Sequence, residues 1–282
     1  MKKLLMITIE LPYPPSSGGR MKSWNMLKSF SDNFDVTLVT PLKYGSDELE
    51  EFQRNIDLGG FHFDKVERDR TPFNLLKSYA LGLPLNVYRS ASPKLKAKVA
   101  EIIHKFDIVV LDHYESYYYL PKNYCGNVIF HTHNATYLMW ERYAKGDDGL
   151  AMRAVASIEA KRVKDYERQV CDKASLVFAA PNDIEKLCEL GCDQSKFRET
   201  YHLGDDSQLA LPQLQYEDTS EQLFYVGTLN WEANVDGLLW FLADVWPQLK
   251  KIHPSLSFKI AGGKPDQRLV DAVKSYGSVE LW

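Results

Sequence analysis

Leu4-Leu5-Met6-Ile7-Thr8-Ile9, followed by Leu11-Pro12-Tyr13-Pro14-Pro15-Ser16-Ser17-Gly18-Gly19-Arg20, passes from an apolar run through a proline- and glycine-rich loop. The apolar run Leu4 to Ile9 reads as a fully buried strand, and beyond the loop Met21, Trp24, Met26, Leu27 and Phe30 recur at helical spacing. The loop therefore joins a first strand to a helix at the strand's carboxyl end, the edge at which open α/β sheets bind ligands. Gly18 and Gly19 permit positive φ and close backbone approach. The helix start offers free N–H groups to an anion, and Arg20 adds a positive charge. An ordinary strand-to-helix connection without a ligand uses the same residues.

Working outward, strands and helices alternate. Asp35 to Thr40, Phe61 to Val66, Ile108 to Leu111, Val128 to Phe130 and Leu176 to Phe178 read as strands. Asp47 to Ile56, Pro72 to Leu81, Pro93 to Lys105, Leu150 to Cys171 and Asn182 to Leu190 read as helices, with Ser92 an N-cap ahead of Pro93. Such alternation implies a parallel sheet with helices on both faces. A polar stretch over 205–220 reads as a linker between a domain at 1–204 and a second unit at 221–282. In that unit Leu223 to Val226, Leu256 to Ile260 and Val279 to Leu281 are strands, and Val235 to Ile252 and Asp266 to Tyr276 helices. A doubly wound domain normally has more strands, so the second unit is expected to be incomplete.

Bulk properties exclude some classes. The 282 residues carry 34 Lys+Arg against 38 Asp+Glu, a net charge of -4, so nothing global attracts nucleic acid. No apolar run approaches the roughly 20 residues of a membrane span, and Met1 to Ile7 lacks a cleavage site, so it reads as a cytosolic strand. In the helix 93–105, Lys94, Lys96, Lys98, His104 and Lys105 stand opposite Leu95, Val99, Ile102 and Ile103. That pattern suits a peripheral contact with an anionic membrane at its inner face, or a solvated helix face. Cys125, Cys171, Cys188 and Cys192 have no CxxC spacing and read as buried reduced thiols.

Chemistry-bearing residues gather in loops after strands: Gly18-Gly19-Arg20, Asp112-His113-Tyr114-Glu115, His131-Thr132-His133-Asn134, Gly227-Thr228-Leu229-Asn230 and Gly262-Gly263-Lys264. In an extended segment His131 and His133 point the same way, which raises a metal pair with His113, Asp112 or His202 as third ligand. The alternative is that His133 bonds a substrate hydroxyl or a carbonyl. The tyrosines from Tyr114 to Tyr119 serve as ring-binding faces or as packing. Charges on the long helix, Arg162 among them, read as solubility and weak pairing. Asn234 reads as the N-cap of the helix that follows the strand Leu223 to Val226.

Taken together, these residues resemble the GT-B glycosyltransferases of family 4. Three blocks carry the resemblance: Pro12-Tyr13-Pro14-Pro15 through Gly19-Arg20; His133-Asn134 with Trp140-Glu141-Arg142-Tyr143; and Tyr225 to Trp231 with Asn234 to Phe241. The resemblance implies an α/β chain of GT-B type with two Rossmann-like doubly wound domains, the first holding the acceptor and the second a nucleotide-diphosphate sugar. It implies sugar transfer with retention to a glycan or lipid-linked acceptor, in surface polysaccharide assembly, with no metal or cofactor. His133 would contact the transferred sugar as the catalytic residue. Gly18, Gly19, Arg20, Gly227, Thr228, Asn234, Gly262 and Gly263 would line the donor, and Asp112, His113, Tyr114 and Asn134 the acceptor side. Many members carry an arginine where Thr228 stands and a lysine near Ala233, and the family's paired glutamates fall beyond Trp282. The resemblance therefore implies a C-terminally truncated member, in which a binding lobe without catalysis is the competing reading. A metal-dependent hydrolase built on His131 and His133 is a third.

Overall fold

The computed structural model describes residues 1–42, 47–146, 149–201, 209–213, 215 and 221–282. The chain divides into two compact units, 1–204 and 205–282. His202 and most of the stretch expected as a linker lie outside the described residues.

Unit 1 runs β1 (Lys3–Ile7), α1 (Gly18–Ser31), β2 (Asp35–Leu42), α2 (Asp47–Asn55), β3 (Gly60–Lys65), α3 (Pro72–Ala80), α4 (Leu85–Ser90), α5 (Pro93–Ile102) and β4 (Ile108–Asp112). It continues with β5 (Asn127–His131), α6 (Tyr137–Lys145), α7 (Gly149–Lys173), β6 (Leu176–Ala179), α8 (Pro181–Glu189) and β7 (Phe197–Glu199). Seven parallel strands pair in the order β3-β2-β1-β4-β5-β6-β7. β1 lies between β2 and β4, with Leu4 opposite both Val36 and Ile108.

That position explains its composition. Leu4 and Met6 pack with Trp24, Leu27, Leu38 and Phe52 on one face, while Leu5 and Ile7 pack with Val39, Val109, Leu111 and Phe130 on the other. A strand covered on both faces needs apolar residues at every position. β1 ends two residues earlier than its apolar run, because the Thr8 hydroxyl donates to the Glu10 carbonyl (2.9 Å) and turns the chain away. The strand order reverses between β1 and β4, so the loops that follow them flank the crevice where doubly wound sheets take ligands.

The sequence reading missed α4, α6 and β7. The first two lack local caps because carboxyl groups of α7 serve them. Glu159 accepts from the Leu85 amide at the start of α4 (2.7 Å). Glu167 accepts from the Thr136 and Tyr137 amides at the start of α6 (2.7 and 3.1 Å). Both glutamates are fully buried. The view of α7 as a helix of solvated charges is corrected accordingly: Arg162 donates to the Ser78 and Leu83 carbonyls and covers the Tyr79 ring. Ser92 does cap α5, accepting from the Leu95 amide. All four cysteines are free thiols, but Cys125 is exposed and Cys188 half-buried, so burial holds only for Cys171 and Cys192.

In unit 2, β8 (Gln222–Val226), β9 (Ser257–Ala261) and β10 (Val279–Leu281) form a parallel sheet in the order β10-β9-β8. Leu238, Leu242, Trp246, Phe258, Ile260 and Leu269 form its core. The single helix expected over 235–252 is α9 (Glu232–Trp240), a π-helical turn at Phe241–Val245 and α10 (Trp246–Ile252). Pro247 lies at the start of α10 and, lacking an N–H, removes one bond of a continuous ladder. The last helix, α11, spans Gln267–Val273.

Candidate functional site

The sheet edge of unit 1 brings the ends of β4 and β5 against one face of α1. Asp112 closes β4 and His131 closes β5, paired in register. Ser17 caps α1 by accepting from the Arg20 amide, and the helix points Trp24 and Leu27 into the core. Its other face carries Ser23, whose hydroxyl donates to Asp112 Oδ2 (2.6 Å), and Lys22, whose Nζ reaches the Thr132 carbonyl (3.4 Å).

Asp112 is the hub. Its Oδ1 meets His131 Nδ1 at 2.7 Å and His133 Nε2 at 2.9 Å, and it is 1% exposed. Burial pushes its pKa up, but His133 and the hydrogen bonds from both histidines outweigh that and hold the carboxyl well below its usual range. An ionised carboxylate only accepts, so both ring nitrogens that face it carry protons. Burial pushes the His131 pKa down despite Asp112, so this ring is neutral, and its buried Nε2 has no hydrogen-bond partner. Burial likewise lowers the Lys22 pKa, offset in part by Asp112 and Asp183.

His133 is oriented by Asp112 and presents its other nitrogen to α1: a Cβ on Gly19 would lie 3.8 Å from His133 Nδ1. His113 stacks on His133, with centroids 3.6 Å apart and planes at 22°. His113 holds φ 68, a positive value that costs a non-glycine residue about 1–3 kcal/mol. Asp112 and His133 form the orienter-and-imidazole pair that sites use to fix a tautomer and place a proton acceptor or donor.

Asp112, His113 and His133 offer ligand atoms that all lie within 4.8 Å of one another, a group among the described residues that could hold a metal ion. His131 is turned to Asp112 instead.

Several expected roles change. Gly18 and Gly19 are the first residues of α1 and are not among the positive-φ glycines; a Cβ on Gly18 would meet nothing and one on Gly19 would make ordinary contact with His133, so neither position requires glycine for the fold. Arg20 is not a free charge: it pairs with Glu10 (3.5 Å) and Glu48 (3.7 Å). Tyr114 is 2% exposed and packs on Tyr166, so it is a core residue and not an acceptor-side surface. Asn134 is exposed, and its carbonyl accepts from the Thr132 hydroxyl (2.9 Å). On α5, Lys94 faces Asp64, Lys98 pairs with Glu101 and Lys96 covers the Tyr118 ring, which commits most of the basic face. Lys22, Ser23, Glu159 and Glu167 were not singled out from the sequence. Their only signal was polarity on otherwise amphipathic helices.

In unit 2 the loops after β8 and β9 pack backbone on backbone. A Cβ on Gly262 would fall 1.9 Å from the Gly227 carbonyl oxygen, while Gly263 has open space. Asn234 is not an N-cap: Trp231 holds that position, and the Asn234 side chain, inside α9, donates to the Thr228 carbonyl (3.0 Å). Arg268 is tied to Glu232 and Asp266.

No family model matches the chain. A protein of Klebsiella pneumoniae described as an uncharacterized 44.6 kDa protein in the cps region is 22% identical over 283 residues. The match takes in 93% of this chain, which spans 65% of that relative's length. Among solved structures, TarM of S. aureus, in complex with UDP, matches with a TM-score of 0.62 at 11% identity, over 100% of this chain and 77% of that one. S. aureus MnaA bound to UDP matches at 0.53 and 13%, over 100% and 69%. The UDP-GlcNAc 2-epimerase of Neisseria meningitidis bound to UDP-GlcNAc matches at 0.50 and 13%, over 99% and 71%. The chain has an α/β fold of the GT-B type. No helix among the described residues is long and apolar enough to cross a membrane.

Proposed function

We propose that this chain is a nucleotide-sugar glycosyltransferase of the family 4 type, which transfers a hexosyl unit with retention to a glycan or lipid-linked acceptor. The observation that carries the reading is His133, held by the ionised Asp112 at the switch point of the sheet and set against the start of α1. Solved structures of like fold that hold UDP or a UDP-sugar support a nucleotide-sugar donor. The Klebsiella relative in a cps region supports a role in surface polysaccharide assembly.

In this reading negative charge grows on the leaving diphosphate, and preorganised N–H groups and helix termini stabilise it. Gly18 and Gly19 leave the start of α1 open to an anion; in unit 2 the Gly227 and Gly262 amides donate to the Ala261 and Trp282 carbonyls, so Thr228 and the unobstructed Gly263 are the positions left to meet the donor there. His133 contacts the transferred sugar, and His113 and Asn134 face the acceptor. Asp112 acts through His133, as a positioning residue. The family 4 reading needs no metal for this chemistry. Calorimetric titration of the natural-length protein with UDP- and GDP-sugars, followed by product analysis with glycan acceptors, tests the proposal. Binding and turnover lost in His133→Ala are expected. A protein that binds no nucleotide sugar refutes it, and one that binds without turnover favours the non-catalytic lobe.

A further inference from the structure

A cavity of about 160 Å³ opens in unit 1 at the same sheet edge, past the carboxyl ends of β1 and β3, where Ile9 and Val66 contribute to its wall. Arg68, Arg70 and Arg89 line it with Glu67 and Glu115. Three guanidinium groups against two carboxylates leave the lining cationic. Glu115 lies on the 3-10 turn Tyr114–Tyr119, which begins one residue beyond His113, so this cavity and the Asp112 cluster are served by one short segment.

The arginines differ in how they are held. Arg68 donates through Nη1 to the Tyr88 and Ala91 carbonyls (both 2.6 Å), with its guanidinium 4.7 Å from the Tyr88 ring centroid; this anchors the head group on one side. Arg89 Nε donates to the Arg68 carbonyl (2.8 Å). Arg70 makes no ion pair or hydrogen bond among the described residues. Asn86 also lines the cavity, with its side chain beside the buried Tyr114 hydroxyl. Planar guanidinium groups match carboxylate and phosphate oxygens. The volume of about 160 Å³ is close to that of a cavity of roughly 150 Å³ that takes one benzene ring, so it takes the charged group and part of one sugar ring, the rest lying at the opening.

We propose that this cavity is a subsite for a monosaccharide unit bearing an anionic group, a carboxylate or a phosphate, held by Arg68, Arg70 and Arg89. Naming that unit the acceptor, or part of it, rests on the glycosyltransferase reading; the binding itself does not.

The test is an NMR titration of the natural-length protein, following arginine Nε–H signals, with D-glucuronate, glucose 6-phosphate and neutral D-glucose, and with UDP added in a parallel sample. The two anionic probes are expected to shift the Arg68 and Arg89 signals saturably, at least about tenfold more tightly than glucose. Arg70→Ala, whose side chain is exposed, and Arg89→Ala should each weaken that binding about tenfold or more with melting temperature checked alongside, while Lys251→Ala should not. Tighter glucuronate assigns an acidic sugar, and tighter glucose 6-phosphate a phosphorylated one. Equal response to all three probes, or binding indifferent to Arg70→Ala and Arg89→Ala, overturns the subsite. Nucleotide binding without anionic-sugar binding fails this inference alone. Anionic-sugar binding in a protein indifferent to UDP and to nucleotide sugars fails the glycosyltransferase reading and leaves the subsite standing.

Discussion

Replacing Asp112 with asparagine removes the one charge around which the histidine cluster is ordered. The carboxylate accepts from His131 (2.7 Å), His133 (2.9 Å) and Ser23 (2.6 Å). Hydrogen bonds to a charged group contribute about 1.5–3 kcal/mol each. An amide keeps one neutral acceptor oxygen and must turn its NH₂ toward one of these donors, so the net loss is about 2–4 kcal/mol. At about 2–4 °C per kcal/mol for a unit of this size, the melting temperature falls by about 5–15 °C at pH 7. The pH dependence has a defined sign. Because the folded pKa of Asp112 is depressed, its contribution is present above the unfolded carboxylate value of about 3.9 and lost as pH falls through the lower folded value. Urea unfolding of Asp112→Asn and the parent should therefore differ fully at pH 7 and begin to narrow below about pH 4. Imidazole ¹⁵N spectra give an independent reading, with His131 protonated at Nδ1 and His133 at Nε2 in the parent and a mixture in the variant. A difference below about 1 kcal/mol at pH 7, or one that persists unchanged at pH 3, would refute the hub.

Three further outcomes follow from named contacts. Gly19→Ala places its Cβ at an ordinary 3.8 Å from His133 Nδ1, so stability should hold within about 1 kcal/mol while binding of any ligand wedged between α1 and His133 drops, separating fold from site by calorimetry. Burial raises the Glu167 pKa to about 8, so folding holds its proton more tightly than the unfolded chain does. Stability should fall between about pH 5 and pH 8 by up to roughly 5 kcal/mol, and Glu167→Gln should flatten that slope in denaturant titrations. Gly262→Ala drives a Cβ against the Gly227 carbonyl, and it should destabilise unit 2 by about 1–3 kcal/mol or more; hydrogen exchange in β8 and β9 that is unchanged would contradict this packing.

The alternation of apolar runs made the doubly wound class legible, because buried parallel strands need apolar residues at every position and their helices need a stripe. Loop positions were legible too: Asp112 and His131 end adjacent strands, and two strand ends in one sheet must share an edge. Roles within those loops were not. Arg20 looked like an open charge until Glu10 and Glu48 came to it from separate segments. Asn234 looked like a cap until the helix began earlier, at Glu232. Tyr114 carried the same residue type as a ring-binding surface and is packed in the core.

By itself the sequence determined where the elements alternate and which loops carry chemistry, since strand and helix periodicity and local caps such as Ser17 and Ser92 are written in neighbouring residues. The formation of α4 and α6 depends on packing, because their caps, Glu159 and Glu167, come from residues 74 and about 30 positions away. Packing likewise decided that one buried carboxylate would gather His131, His133 and Ser23. Such a charge is tolerable only where folding brings enough donors to replace water, and that condition is set by the meeting of three elements.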